Sequence, residues 1–192
     1  MSAKPFLITG LPRSRTAWMS AFFCTGNIFC LHEPLSTLYD ISEAGRLFES
    51  DFHSHVGVSD TGAGLFLPWI MENVNPPTVI IERDLADVEE DLRRVGIPVV
   101  NDMQTVLLKK LNEYRHHPNV LWVGFDSLSD KRIMQKIWFH LVPGVPFDDE
   151  RYEQLNDLNI QANVPKFKEY AQVNQARQAH MLRDVFPLLQ EN

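Results

Sequence analysis

Leu7-Ile8-Thr9-Gly10-Leu11-Pro12-Arg13-Ser14-Arg15-Thr16-Ala17-Trp18 is the stretch on which the reading of this chain turns. Pro5 to Thr9 is a short apolar run that predicts a buried strand, and Thr16 to Phe23 predicts the helix after it. Gly10 ends the strand, and the loop beyond it carries Pro12, Arg13, Ser14 and Arg15. Such a joint aims free backbone N–H groups and the positive end of the helix dipole at one spot. The hydroxyls of Ser14 and Thr16 and the charge of Arg13 add donors there, which suits an oxyanion of phosphate or sulfate type. A solvated loop with a Ser/Thr helix cap explains Thr16 but not the Arg-Ser-Arg cluster. Nor is the spacing that of a nucleoside-triphosphate loop, G-x-x-x-x-G-K-[ST]. Counted from Gly10, Arg15 stands at the second glycine and Thr16 at the lysine.

Working outward, Ile28 to His32, Val56 to Ser59, Thr78 to Glu82 and Asn119 to Phe125 are further strand candidates. Thr78 to Glu82 is rich in β-branched residues and is introduced by Pro76-Pro77. Between the last two, Asp102 to Tyr114 places Met103, Val106, Leu107, Leu111 and Tyr114 on one helix face. Strands alternating with helices predict an α/β class fold of three layers, α/β/α, around a mostly parallel sheet. One domain is expected over residues 1–192, with a core at about 5–150 and a helical C-terminal segment at about 151–192. Ligands in such sheets bind at the carboxyl ends of the strands. That rule points to the loops after Thr9, His32, Val58 and Glu82.

Composition sets the outer limits. The 192 residues hold 18 Lys+Arg against 25 Asp+Glu, a net charge of −7, with 44% hydrophobic and 22% charged residues. Global disorder is excluded, and no nucleic-acid partner is expected at that charge. A small anion in a locally basic pocket remains compatible. Cys24 and Cys30 lie in apolar surroundings, which favours a reducing compartment. The apolar start meets Gly10 and Arg13 too soon for a signal peptide or membrane span, so a cytoplasmic protein without membrane contact is expected. His53-x-His55 and Cys24-x5-Cys30-x-His32 have no fourth ligand at sensible spacing, and no metal is expected.

Pro12-Arg13-Ser14-Arg15-Thr16-Ala17-Trp18 resembles the donor loop of the sulfotransferase family, P-[KR]-S-G-T-T-[WFL] after the first strand. It departs at Arg15, where the family has glycine, and at Ala17, where it has threonine. Leu31-His32-Glu33-Pro34-Leu35 resembles the E-P-L segment of the carbohydrate-type and bacterial members. Thr78-Val79-Ile80-Ile81-Glu82-Arg83 resembles a strand ending in Arg, followed by a turn matched at Asp87. The family's serine, eight residues after the arginine, is Asp91 here. Val120 to Leu128 and Ile137 to Phe147 resemble later core segments, so the likeness runs in order over about residues 5–150.

The resemblance implies a P-loop-type, sulfotransferase-like fold and transfer of a sulfuryl group to a hydroxyl or amine of a small-molecule acceptor. The donor it implies is PAPS, 3′-phosphoadenosine 5′-phosphosulfate. By it, Pro12 to Thr16 with Ala17 would hold the 5′-phosphosulfate, Trp18 would lie near the adenine or else in the core, and Arg83 with position 91 would meet the 3′-phosphate. Catalysis would rest on Glu33, with His32 as second candidate, as the base that receives the acceptor proton, and on Arg13 for charge growing on the leaving oxygen. The departures have physical weight. Arg15 needs a backbone geometry that glycine adopts more easily, and a carboxylate at 91 would oppose a phosphate by on the order of 1–4 kcal/mol. Phe52 to Thr61 and Asn156 to Tyr170 are expected to shape the acceptor pocket. A P-loop kinase without the usual lysine, or a non-catalytic nucleotide-binding protein that kept the fold, are the alternatives.

Overall fold

Alternation along the first strand builds both halves of the core. In the computed structural model, which describes residues 3–38, 40–97, 99, 103–156 and 158, that strand is β1 (Lys4–Gly10). It sends Phe6 and Ile8 to one face and Leu7 to the other, the period-two pattern of a strand buried on both sides. In chain order there follow α1 (Thr16–Phe23), β2 (Ile28–His32), β3 (His55–Ser59) and α2 (Ala63–Asn73). Then come β4 (Thr78–Glu82), α3 (Leu85–Arg94), α4 (Met103–Asn112), β5 (Val120–Gly124), α5 (Lys131–Leu141) and α6 (Asp149–Asn156). The five strands form one sheet in the order β2-β3-β1-β4-β5, and every neighbouring pair is parallel. Helices α1, α5 and α6 cover the Phe6 face through Phe22, Trp138 and Tyr152. Helices α2, α3 and α4 cover the Leu7 face through Leu67, Val88 and Leu107. The three-layer, parallel α/β architecture expected from the sequence is the one observed.

The strand order separates the end of β2 from the loop after β1, because β3 lies between them. Burial explains why. All five residues of β3 are buried, whereas β2 exposes Phe29 and His32 as an edge strand does. Gly57 lets β3 sit against β1, since a Cβ there would fall 2.0 Å from the Phe6 ring. A stretch that is weak in the sequence, His-Val-Gly-Val-Ser, is therefore a central strand.

Boundaries shift by one or two residues elsewhere: β3 begins at His55, β5 runs Val120–Gly124, and α4 runs Met103–Asn112. Helix α6 runs Asp149–Asn156, at the start of the expected C-terminal segment of about 151–192. Apart from Leu158, the expected helical segment beyond residue 156 and the acceptor loop to Tyr170 lie outside the described residues. No helix among the described residues is long and apolar enough to cross a membrane.

Candidate functional site

At the carboxyl ends of the strands a cavity of about 360 Å³ opens, within the range of small-molecule sites. Pro12, Arg13, Arg15, Thr16, Ala17 and Trp18 form one wall. Arg83, Asp91, Leu92 and Phe125 continue it, and His32, Glu33 and Thr61 stand opposite.

The basic wall begins at Gly10, where a Cβ would lie 2.6 Å from the Ile81 carbonyl, so only glycine lets β1 end against β4 here. The loop then bends through two left-handed residues, Arg13 (φ 68) and Arg15 (φ 62). Arg15 thus holds the conformation that glycine adopts without a Cβ penalty. It is also the residue preceding the first turn of α1, and no side chain caps that turn. The first amides of α1 therefore receive no side-chain cap from Arg15, and Arg15 rather than Thr16 holds the cap position. Ser14 is fully buried, and its hydroxyl has no hydrogen-bond partner among the described residues. An orphaned hydroxyl under an uncapped helix end fits a bound oxyanion. Burial lowers the pKa of Arg13 and of Arg15 from the ordinary guanidinium value, though both remain charged.

Arg83 joins this wall to α3. Its Nη1 donates to the Arg13 carbonyl at 2.8 Å, its Nη2 donates to Asp91 at 2.7 Å, and its guanidinium lies 4.3 Å over the Phe125 ring. Asp91 also accepts from Arg94 at 2.5 Å. Burial opposes ionisation of Asp91, but the hydrogen bond and charge of Arg83, helped by Arg94 and Arg13, hold its pKa below the ordinary value. The carboxylate at 91 does not turn away from Arg83; it neutralises it. Trp18 is 2% exposed, donates from Nε1 to the Leu155 carbonyl at 2.8 Å, and stacks on Phe22. It is a core aromatic that also lines the cavity, with Arg15 5.0 Å over its ring.

The opposite wall is acidic and was only half legible. Glu33 follows β2 in a left-handed conformation (φ 51), which turns its side chain toward the end of β3. Its Oε1 accepts from the Thr61 amide at 3.2 Å and from the Thr61 hydroxyl at 3.1 Å. Beside it Asp60, 1% exposed, accepts from the Leu35 amide at 2.9 Å and from the Gly62 amide at 2.7 Å. Each carboxyl reaches into the other's loop, Glu33 onto Thr61 and Asp60 onto Leu35, which sets the two side by side. Burial, reinforced by the negative charge of Asp60, pushes the Glu33 pKa up to about 8, against the Thr61 hydrogen bonds. Asp60 is raised too, by its own burial. His32 lies 3.8 Å from Glu33, but burial lowers its pKa. At neutral pH that contact joins two uncharged groups rather than an ion pair.

The donor-binding and catalytic candidates from the sequence, Ser14 excepted, line this one cavity. Phe52 does not belong with them: it is 86% exposed, and the neighbouring Ser54 pairs with Asn27 and Lys4 at the amino ends of the strands. Of Phe52 to Thr61, Thr61 alone lines the cavity, joined from the C-terminal side by Asn156 and Leu158. Asp60 was missed. Its signal was its place, an acid at the carboxyl end of a strand.

No protein-family model matches the chain, and no curated protein matches it in sequence. Among solved structures it is similar to mouse sulfotransferase SULT7A1 complexed with PAP, at 13% sequence identity and a TM-score of 0.51. The match covers 80% of this chain and 63% of that one, so the chain spans under two thirds of the sulfotransferase it resembles. The strand order, the loop after β1 and this likeness together establish that the chain has a sulfotransferase-like, P-loop-type α/β fold.

Proposed function

We propose that this chain is a cytoplasmic sulfotransferase that moves a sulfuryl group from PAPS to a hydroxyl or amine of a small acceptor. The observation that carries the reading is one cavity lined on one side by Arg13, Arg15 and Thr16, the candidate oxyanion cradle, and on the other by the carboxyl of Glu33. In this reading the loop amides, Arg13 and the Ser14 hydroxyl hold the 5′-phosphosulfate, while Arg83 lies toward the 3′-phosphate. The acceptor oxygen attacks sulfur in line with the departing phosphate oxygen. The ionised form of Glu33, which becomes the major form above about pH 8, receives the acceptor proton as the new S–O bond forms, and Arg13 with the loop amides stabilises the charge left on the phosphate. Positioning and fixed dipoles supply most of the rate in such transfers.

Calorimetry with PAP tests the reading. Binding in the micromolar range is expected, lost in Arg13→Ala while circular dichroism shows the fold retained. Absence of PAP binding to the wild-type chain overturns it.

One observation favours a second reading. Asp60 ends the strand beside β1, where a magnesium-holding aspartate of a P-loop kinase would stand. Against it, both Asp60 oxygens already accept backbone N–H groups, and Ala17 occupies the place of the P-loop's Ser/Thr ligand. Magnesium-dependent ATP binding without PAP binding would favour the kinase.

A further inference from the structure

We infer that Asp60 is a positioning residue that shares one proton with Glu33 across the ends of β2 and β3, and so sets the basicity of the group facing the acceptor. Its role in turnover rests on the sulfuryl-transfer reading; the shared proton does not.

The assignment of donor and acceptor in the pair follows from the amides. Asp60 Oδ1 and Oδ2 each face a backbone N–H, from Gly62 and Leu35, both within 2.9 Å. A carboxylate satisfies both donors, whereas a protonated carboxyl would turn an O–H toward one of them. Asp60 is therefore the ionised, accepting member. Glu33 makes no comparable claim on its charge, since the hydrogen bonds its carboxyl accepts all come from one residue, Thr61, at 3.1–3.2 Å. Glu33 is the member that carries the proton and donates it to Asp60.

Two carboxyls in contact in a poorly hydrated site do not both ionise at neutral pH, because the second charge must form beside the first. The other titratable groups facing Glu33 do not relieve this. His32 on β2 is kept neutral by burial, and Asp91 across the cavity is paired with Arg83 and Arg94. Arg13 and Arg15 line the same cavity from the loop after β1. The consequence is a carboxyl held in place by its neighbour, with a basicity closer to that of the acceptor hydroxyl it serves than an ordinary glutamate has. When Glu33 ionises, the proton it later receives comes from the acceptor O–H bond as the acceptor's electron pair goes to sulfur.

Infrared spectroscopy of the whole chain, without donor or acceptor, reads the pair directly. A protonated-carboxyl C=O band is expected at pH 7, titrating with a midpoint near 8. In Asp60→Asn the midpoint should fall by about two units or more, because the neighbouring charge is gone. In Glu33→Gln the band should be absent at pH 7, with Asp60 ionised.

No band at pH 7 in the wild-type chain, a midpoint unmoved in Asp60→Asn, or a band persisting in Glu33→Gln would each overturn the inference. Should Asp60→Asn fail to fold, Asp60→Ser takes its place, and a midpoint unmoved there overturns the inference as well. A chain that shows the band but does not bind PAP keeps the shared proton and loses the sulfuryl-transfer reading. The reverse result separates the two in the other direction.

Discussion

The two walls of the cavity reach similar closeness by opposite means. The basic wall comes largely from one run of consecutive residues, Pro12 to Trp18, bent by two left-handed arginines and fastened by Arg83. The acidic wall is assembled from two strands 28 positions apart in Glu33 and Thr61, and its charge is reduced by proton sharing rather than by a counter-ion. On the basic wall a cation is tempered by a carboxylate, Asp91; on the acidic wall a carboxyl is tempered by another carboxyl, Asp60. In the sulfuryl-transfer reading the site holds an anion beside a base and gains from this arrangement, since a full negative charge at Glu33 would repel the ligand held opposite.

The largest test removes the basic wall. Arg13→Ala should lower turnover about a thousandfold, the scale of losing one preorganised donor to a developing oxyanion, while the melting temperature barely moves. Retained activity would break the assignment of the two walls. Glu33→Gln should lower turnover about a hundredfold, as loss of a general base does, yet leave PAP affinity within about twofold. If PAP affinity fell equally in both variants, the walls would not be separate in function.

Asp91→Asn sharpens the comparison within the basic wall. Freed from a carboxylate, Arg83 should bind PAP about tenfold more tightly, worth about 1.4 kcal/mol. Thermal melting should meanwhile show a loss of about 1 kcal/mol from the weakened Arg83–Asp91 pair. Unchanged PAP affinity would mean that no second phosphate comes near position 91.

The acidic wall has a signature in stability against pH. Glu33 titrates near 8 in the fold, against 4.5 for an ordinary glutamate. Between those values the folded chain holds a proton that the unfolded chain has lost, so stability falls as pH rises from about 4.5 to about 8 and levels off above. Melting curves of Glu33→Gln should lack this part of the slope; an identical slope would place the raised group elsewhere. The smallest effect is at Arg15. Arg15→Gly relaxes a left-handed backbone and should stabilise the chain by about 0.5–1 kcal/mol, read as a rise in melting temperature.

How much was legible varied with how local the cause is. The loop after β1 was readable because Gly10, Arg13, Ser14 and Thr16 act through neighbouring backbone, and its strand–loop–helix context fixes where they point. Trp18 was left open between ligand and core. The choice depended on Leu155, 137 residues away, whose carbonyl accepts its indole N–H. Asp91 was readable as a departure but not in its consequence, because pairing with Arg83 requires knowing which face of α3 meets the end of β4. Asp60 was passed over because β3 is short, contains a glycine and looks weak as a strand. Its centrality is set by Phe6 filling the space over Gly57, a contact between strands that no local pattern encodes.

By itself, then, the sequence determined the alternation of strands and helices, the parallel three-layer class, and the basic strand–loop–helix joint at Arg13 to Thr16. These follow from periodicity, β-branched runs and loop chemistry, all of which act over a few residues. Only the tertiary structure decided the order β2-β3-β1-β4-β5. That order inserts β3 between the loop and Glu33, brings Asp60 against Glu33, and leaves Phe52 at the far end of the sheet. Charge follows from those placements, because a carboxyl's ionisation depends on its burial and on which charges stand beside it, and the chain's linear order specifies neither.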